Sequence, residues 1–181
     1  TFAFHFARLH YAPHMIEIER KFLVLTTDWG TPSTSRRIEQ GYLFIAEDRS
    51  MRIRRSGDQY ILSLKVRIDN LARHEIETDI DAKQGQAMLD GLCVGPSIQK
   101  IRHEVPFEDK IWEIDVFDGA NAGLIVAEIE LSSAADTFVL PSWVGPEVTD
   151  DPRFLNTSLS GHPFGEWGVS YAELRASKRN D

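Results

Sequence analysis

The feature that most restricts this chain is a period-two alternation of apolar and charged residues, repeated in run after run. In EIERK, Glu17, Glu19 and Lys21 share one face of an extended strand, with Ile16, Ile18, Arg20 and Phe22 on the other. RIR sets Arg52 and Arg54 around Ile53, and LSLKV sets Ser63 and Lys65 against Leu62 and Leu64. RHEIE aligns Arg73, Glu75 and Glu77 against Ile76, and QKIRHE aligns Lys100 and Arg102 against Ile101. WEIDVF places Asp115 opposite Ile114 and Val116, and AEIEL places Glu128 and Glu130 against Ile129 and Leu131. The alternation predicts strands over 15–25, 40–46, 50–55, 59–67, 73–80, 97–105, 110–117 and 124–131. Ser56-Gly57-Asp58, Gly95-Pro96 and Asp118-Gly119-Ala120-Asn121 supply turns between several of them. Many short strands with few helices between them indicate a mostly antiparallel barrel or sandwich.

One alternating strand reads as the wet face of a sheet. Across the whole set that reading weakens, because the polar positions are nearly all Arg, Lys, Asp or Glu, with little of the Thr, Ser, Gln and Asn that an outer face mixes in. The other arrangement is a charged barrel interior. Burying one unpaired ion costs several kcal/mol, a cost that a lumen of both signs, open to water, avoids. Such a lumen offers cations for an anionic ligand together with carboxylates for a metal. Lys and Arg grip phosphate oxygens, Arg two at once. Carboxylates are hard ligands suited to Mg²⁺ or Mn²⁺, which neutralise phosphoryl groups and activate water.

The 181 residues fit one domain, and 42% hydrophobic content is enough to build a core. A net charge of −8 leaves no global basic field for nucleic acid. The single cysteine, Cys93, excludes an internal disulfide and a cysteine metal cluster, reads as a buried inert thiol, and fits a reducing, cytoplasmic setting. No run approaches the roughly 18–20 apolar residues of a membrane span. The opening TFAFHFARLHYAPH lacks the parts of a secretory signal, and Met15 reads as a natural start, so 1–14 is set aside as a leader or extension. Helices are expected over 82–93, capped by Asp81 with Gln84 and carrying an Ala87, Met88, Leu92 stripe; from Ser132 or Ser133 through 137; over 150–160; and over 169–178 in a C-terminal tail, 161–181.

Taken in order, Glu17-x-Glu19-x-Lys21, Arg52-x-Arg54, Lys65, Glu75-x-Glu77, Lys100-x-Arg102, Asp115 and Glu128-x-Glu130 resemble the CYTH superfamily of triphosphate tunnel metalloenzymes. WEIDVFDG and PSWVGPEVTDDPRFLN are similar to stretches of its short bacterial members, and the resemblance spans 15–160. It implies a mainly β fold with a few helices, an eight-stranded antiparallel β-barrel forming a charged tunnel. It implies phosphate contacts from Lys21, Arg52, Arg54, Lys65, Lys100 and Arg102, with Arg73 a weaker candidate and Arg153 closing over the substrate. It implies divalent metal, Mg²⁺ or Mn²⁺, on Glu17, Glu19, Glu128 and Glu130, with Glu75, Glu77 and Asp115 completing a second position or orienting water. Glu130, Lys65 and Tyr42 are the catalytic candidates, and an aromatic at a strand start explains Tyr42 equally well. Asn156 matches an asparagine of the family's post-barrel segment and reads as structural. The segment VRIDNLA departs from the family in lacking glycines; there Arg67 continues the Lys65 face, toward phosphate or toward solvent. His103, beside Arg102, should face outward.

The activity implied is hydrolysis of a small triphosphate, inorganic triphosphate first, to pyrophosphate and phosphate. Adenylate cyclisation and thiamine triphosphate hydrolysis use the same phosphate and metal groups but need an aromatic or apolar pocket at a tunnel mouth. None of Trp29, Trp112, Trp143 and Trp167 falls there by spacing. A polyphosphate-binding module without turnover would need only the basic half of the set. Neither nucleic acid nor membrane is an expected partner, and the outward Ile and Leu faces leave a homodimer open.

Overall fold

The computed structural model describes residues 15–69 and 71–178; the expected leader, 1–14, lies outside them. Eight strands close into an antiparallel barrel: β1 (Met15–Val24), β2 (Thr34–Ile45), β3 (Arg49–Ser56), β4 (Gln59–Arg67), β5 (Ala72–Ile80), β6 (Ile98–Phe107), β7 (Lys110–Asp118) and β8 (Ile125–Glu130). Around the barrel the order is β5-β4-β3-β2-β6-β7-β8-β1, and pairing of β1 with β5 closes the ring. A short β9 (Val144–Glu147) takes over the outer edge of β1 where β5 leaves it, pairing at Phe22 and Val24. The helices are α1 (Ala82–Gly91), α2 (Asn156–Gly161) and α3 (Tyr171–Ser177).

Two tight hairpins fix the register. Gly57, at φ +61°, turns β3 into β4 so that Ser56 faces Gln59. Glu108, at φ +51°, does the same between Phe107 and Lys110 without a glycine. With the register set, one face of every strand looks inward.

On the outer side of β1, β6, β7 and β8, Phe22, Val24, Val105, Trp112, Ile114, Ala127 and Ile129 form an apolar layer. Residues after β8 cover it: Phe138 and Trp143 meet the Trp112 ring edge-to-face at 5.7 and 5.5 Å. Here the structure departs from expectation. No helix follows Ser132; the Asp136 carboxylate accepts from the Ser132 N–H and hydroxyl and pairs with Lys110 at 2.8 Å, so the segment is held as a closed loop. α1 is capped as expected, with Asp81 Oδ1 accepting from Lys83 and Gln84 N–H. Its inner face is Gly85, with Met88 and Leu89 partly covered, whereas Ala87 and Leu92 are exposed. Gly85 sits where a Cβ would come within 2.4 Å of the Tyr60 ring, so the helix lies directly on that aromatic. Cys93 is half-buried and packs against Gly41.

The second apolar cluster plugs part of the barrel. Inward residues Leu23, Tyr42, Ile98, Phe117 and Val126 meet Phe154, Leu159, Phe164 and Leu174 from the C-terminal segments. Tyr171 fastens α3 to the end of β1: its hydroxyl accepts from Val24 N–H at 2.7 Å and faces the Val24 and Ile125 carbonyls at 3.1 and 2.7 Å.

Candidate active site

On four neighbouring strands the inward side chains change from charged to apolar in the same direction: Glu17, Glu19, Lys21, Leu23 on β1; Glu130, Glu128, Val126 on β8; Glu113, Asp115, Phe117 on β7; and Arg102, Lys100, Ile98 on β6; next to β6, β2 turns the uncharged Ile38, Gln40 and Tyr42 inward. On β3, β4 and β5 the side chains that border the charged lumen are polar, with Arg54, Arg52, Ser50, then Ser63, Lys65, Arg67, then Glu77, Glu75, Arg73. The charged part of the lumen encloses a cavity of about 240 Å³.

Inside it cations and carboxylates neutralise one another. Lys21 is paired with Glu128 and, at 2.9 Å, with Glu19. Arg73 reaches Glu19 at 2.6 Å across the β1–β5 seam. Lys65 lies 2.6 Å from Glu17 and 3.3 Å from Glu75. Arg52 spans Glu75 at 3.3 Å and Glu77 at 3.5 Å, and Arg54 holds Glu77 at 3.1 Å. Arg102 donates through Nε and Nη2 to both Asp115 oxygens at 2.7 Å, while Nη2 also reaches Glu128 at 2.7 Å and Nη1 pairs with Glu113. Lys100 closes the set on Asp115.

The protonation behaviour follows from this pairing. Burial works against the Glu19 carboxylate, but Lys21, and beyond it Lys65 and Arg73, outweigh that and hold its pKa at about 2. Glu128, equally opposed by burial, is held well below the usual carboxylate range by Lys21, Arg102 and Lys100. Where cations are fewer the sign reverses. Burial lifts Glu75 to about 7, helped by Glu17 and Glu77, and burial with Glu17 and Glu19 nearby raises Glu130. Glu113 is raised by burial, with Glu128 and Asp115 adding to the effect. Burial also pulls Lys100 down to about 8 despite Asp115.

Of the residues singled out from the sequence, Glu17, Glu19, Lys21, Tyr42, Arg52, Arg54, Lys65, Arg73, Glu75, Glu77, Lys100, Arg102, Glu128 and Glu130 all line this cavity. Asp115 is fully buried behind it, as the anchor of Lys100 and Arg102. Tyr42 stands at the apolar plug, and burial raises its phenol to about 12, so it remains protonated at neutral pH. Arg153 is outside the cavity wall: it pairs with Asp151 at 2.6 Å and lies over the Trp167 ring at 5.1 Å. Asn156 does line the cavity, and its buried Oδ1 has no hydrogen-bond partner. His103 points outward, bonded to Ser35 Oγ at 2.7 Å beside Trp29. Glu113, Gln40 and Arg49 also line the cavity. Glu113 could have been found from the alternation that gave Asp115; Arg49 begins its strand at a loop and carried no such signal.

The donor set facing the cavity consists of carboxylate oxygens, the chemistry of a hard divalent cation. Among the described residues no three acidic or histidine groups converge on a ready-made metal position. The ion pairs explain this, since Glu17, Glu19, Glu75, Glu77 and Glu128 are each turned toward a lysine or arginine. An anion that takes the cations would release those oxygens, so the residues fit a metal in company with a polyanion.

Comparison with known proteins agrees with this architecture. Residues 15–157 match the model of the CYTH domain. The chain is 38% identical to an inorganic triphosphatase of Acetivibrio thermocellus over 148 residues, 82% of this chain and 95% of that protein. It is also 38% identical to an inorganic triphosphatase of Nitrosomonas europaea over 150 residues, 81% of this chain and 97% of that one. A crystal structure of an inorganic triphosphatase superposes with a TM-score of 0.61 at 35% identity, covering 81% of this chain and 96% of that one. With a charged, closed barrel in place and the family model matching from the first strand to α2, the chain belongs to the CYTH domain family.

Proposed function

We propose that this protein hydrolyses inorganic triphosphate to pyrophosphate and phosphate, with a divalent metal, Mg²⁺ or Mn²⁺, held by the lumen carboxylates. The observation that carries the reading is the coexistence of Lys21, Arg52, Lys65, Arg73, Lys100 and Arg102 with Glu17, Glu19, Glu75, Glu128 and Glu130 around one cavity. A linear triphosphate entering it exchanges the internal ion pairs for phosphate oxygens, and the carboxylates so freed are the metal ligands, principally Glu17, Glu19, Glu128 and Glu130. The bound metal would neutralise phosphoryl charge and lower the pKa of a water. Lys65, Arg52 and Arg54 hold the phosphate chain and balance charge on the departing pyrophosphate; in-line displacement asks for this positioning and charge balance above all. Glu130, whose carboxylate is raised by burial and by Glu17 and Glu19, orients the attacking water. Glu77 and Glu75 complete a second metal position, and Asp115 acts through the two cations it holds. Arg153 reaches the substrate only after leaving Asp151 and Trp167.

Inorganic triphosphate is favoured over a nucleotide or thiamine triphosphate because Tyr42 is the one aromatic ring facing the cavity among the described residues, and it belongs to the plug. Trp112 and Trp143 lie in the outer layer with Trp29 against it, and Trp167 packs behind Phe154 and Phe164. No helix of the described residues is long and apolar enough to cross a membrane, and our reading keeps the cytoplasmic location expected from the sequence. The test is a phosphate-release panel with triphosphate, ATP, thiamine triphosphate and pyrophosphate, each with Mg²⁺, Mn²⁺ or excess chelator, alongside a cyclic-AMP assay. Metal-dependent release from triphosphate well above the others is expected. Triphosphate binding without release under any metal would instead identify a binding module.

A further inference from the structure

Arg67 stands apart among the cations of the bore. It ends β4, following Ser63 and Lys65 at period two, so its side chain leaves the strand on the inward face. It lines the charged cavity, and with Arg73 and Leu155 it also lines an adjoining cavity of about 210 Å³ bordered by Asp69, Thr149, Asp150 and Pro152. Every other lysine or arginine of the charged wall has a carboxylate within ion-pair distance. Among the described residues Arg67 has none within that distance: Asp48, whose carboxyl it helps to lower from beyond ion-pair reach, is held by Arg49, and Arg67 is exposed. Its backbone is fixed all the same, since its N–H donates to the Asp48 carbonyl at 2.7 Å.

This difference has a chemical consequence. A paired cation must give up a carboxylate before it can bind phosphate, so part of the new interaction replaces an old one. An unpaired guanidinium gives up only water, and its planar fork takes two oxygens of one phosphoryl group. Its place where the two cavities join puts it on the side the apolar plug leaves polar, the β3–β4–β5 side. We propose that Arg67 is a substrate-positioning residue that takes a terminal phosphoryl group of the linear triphosphate at this end of the bore. The proposal rests on the triphosphatase reading above and goes beyond it by naming the group that meets the substrate first.

The test compares wild type, Arg67→Ala and Arg67→Lys by calorimetric titration with inorganic triphosphate and by phosphate-release kinetics. Losing one charge-assisted contact at an exposed position should weaken triphosphate binding and raise KM about tenfold. Turnover at saturation should stay within about twofold, the pattern of lost uniform binding. Lys, which keeps the charge and loses the fork, should recover part of the loss, and melting temperatures should match wild type. An Arg67→Ala protein with wild-type KM and affinity, or one that loses kcat at unchanged KM, overturns the assignment while leaving the triphosphatase reading intact. A wild-type protein that neither binds nor cleaves triphosphate overturns both.

Discussion

Lys100 should make the protein less stable than it could be, and the size of the effect can be worked out. Its side chain is 2% exposed, with Asp115 as its direct partner. Burial depresses its pKa from 10.5 to about 8; Asp115 and Glu128 resist the fall and Arg102 adds to it. That gap, 10.5 minus about 8, corresponds to about 3 kcal/mol of folding free energy at neutral pH. Lys100→Met removes the charge and keeps the chain length, while Arg102 still holds both Asp115 oxygens at 2.7 Å. Some of the gain is lost with the ammonium's approach to the Phe117 ring, 5.3 Å from its centroid. A net stabilisation of about 1–3 kcal/mol remains, which in a chain of this size is roughly 2–12 °C in Tm. The pH dependence carries the sign. The unfolded state holds more protons on this lysine between pH 8 and 10.5, so wild-type stability gains on the variant as pH rises through that window, and below it the full penalty persists. Urea denaturation of both proteins at several pH values measures the difference, and triphosphate kinetics should show KM rising as the protein becomes more stable. A Lys100→Met protein that melts below wild type, or a stability difference that stays flat from pH 8 to 10.5, would refute the reasoning.

Lys65→Ala and Arg54→Ala should each lower triphosphate turnover, measured by phosphate release at saturating substrate; unchanged kinetics in both would contradict the phosphate path. Trp112→Ala removes a fully buried ring that three aromatic neighbours meet edge-on, and should cost about 3–5 kcal/mol in denaturant titration. Tyr171→Phe leaves the Val24 N–H without its acceptor, at a cost of about 1–3 kcal/mol, and amide exchange should quicken across 171–178; unaltered protection there would show that α3 is held by other contacts.

The barrel was legible because alternation survives wherever one face of a strand is constrained. Each of the eight expected strands is present, and the inward set named from the sequence meets around one cavity, with Ser63 and Asp115 buried behind its wall, because period two assigns a face without knowledge of the fold. Legibility ends where that pattern ends. The start of β2 at Thr34 was missed because Arg36 and Arg37 in succession break the alternation, and β9 because Gly145-Pro146 reads as a turn. The loop after Ser132 resembled a capped helix start locally; a long-range ion pair from Lys110 decided otherwise. The exposure of Ala87 on α1 and of Leu92 just after it follows from the flat contact of Gly85 on Tyr60, a packing choice that apolar periodicity cannot anticipate. Arg153 shows the same limit: Asp151, two residues before it, and the Trp167 ring hold its guanidinium, and the strand alternation that assigns a face does not extend to this segment.

Charge pairing inside the bore also bears on how substrate and metal can meet. An empty lumen of bare carboxylates would repel itself, and one of bare cations would be equally costly, because each unpaired buried ion carries a penalty of several kcal/mol. Here each sign serves as the counter-ion of the other, so the barrel folds around charges it needs only when loaded. A polyanion alone would leave the carboxylates uncompensated, and a divalent metal alone would compete with cations already in place, notably at Glu19 and Glu128, whose depressed pKa values reflect strong neutralisation. Neither ligand suits this lumen by itself. Each should bind better with the other present, and by linkage the enhancement must be mutual.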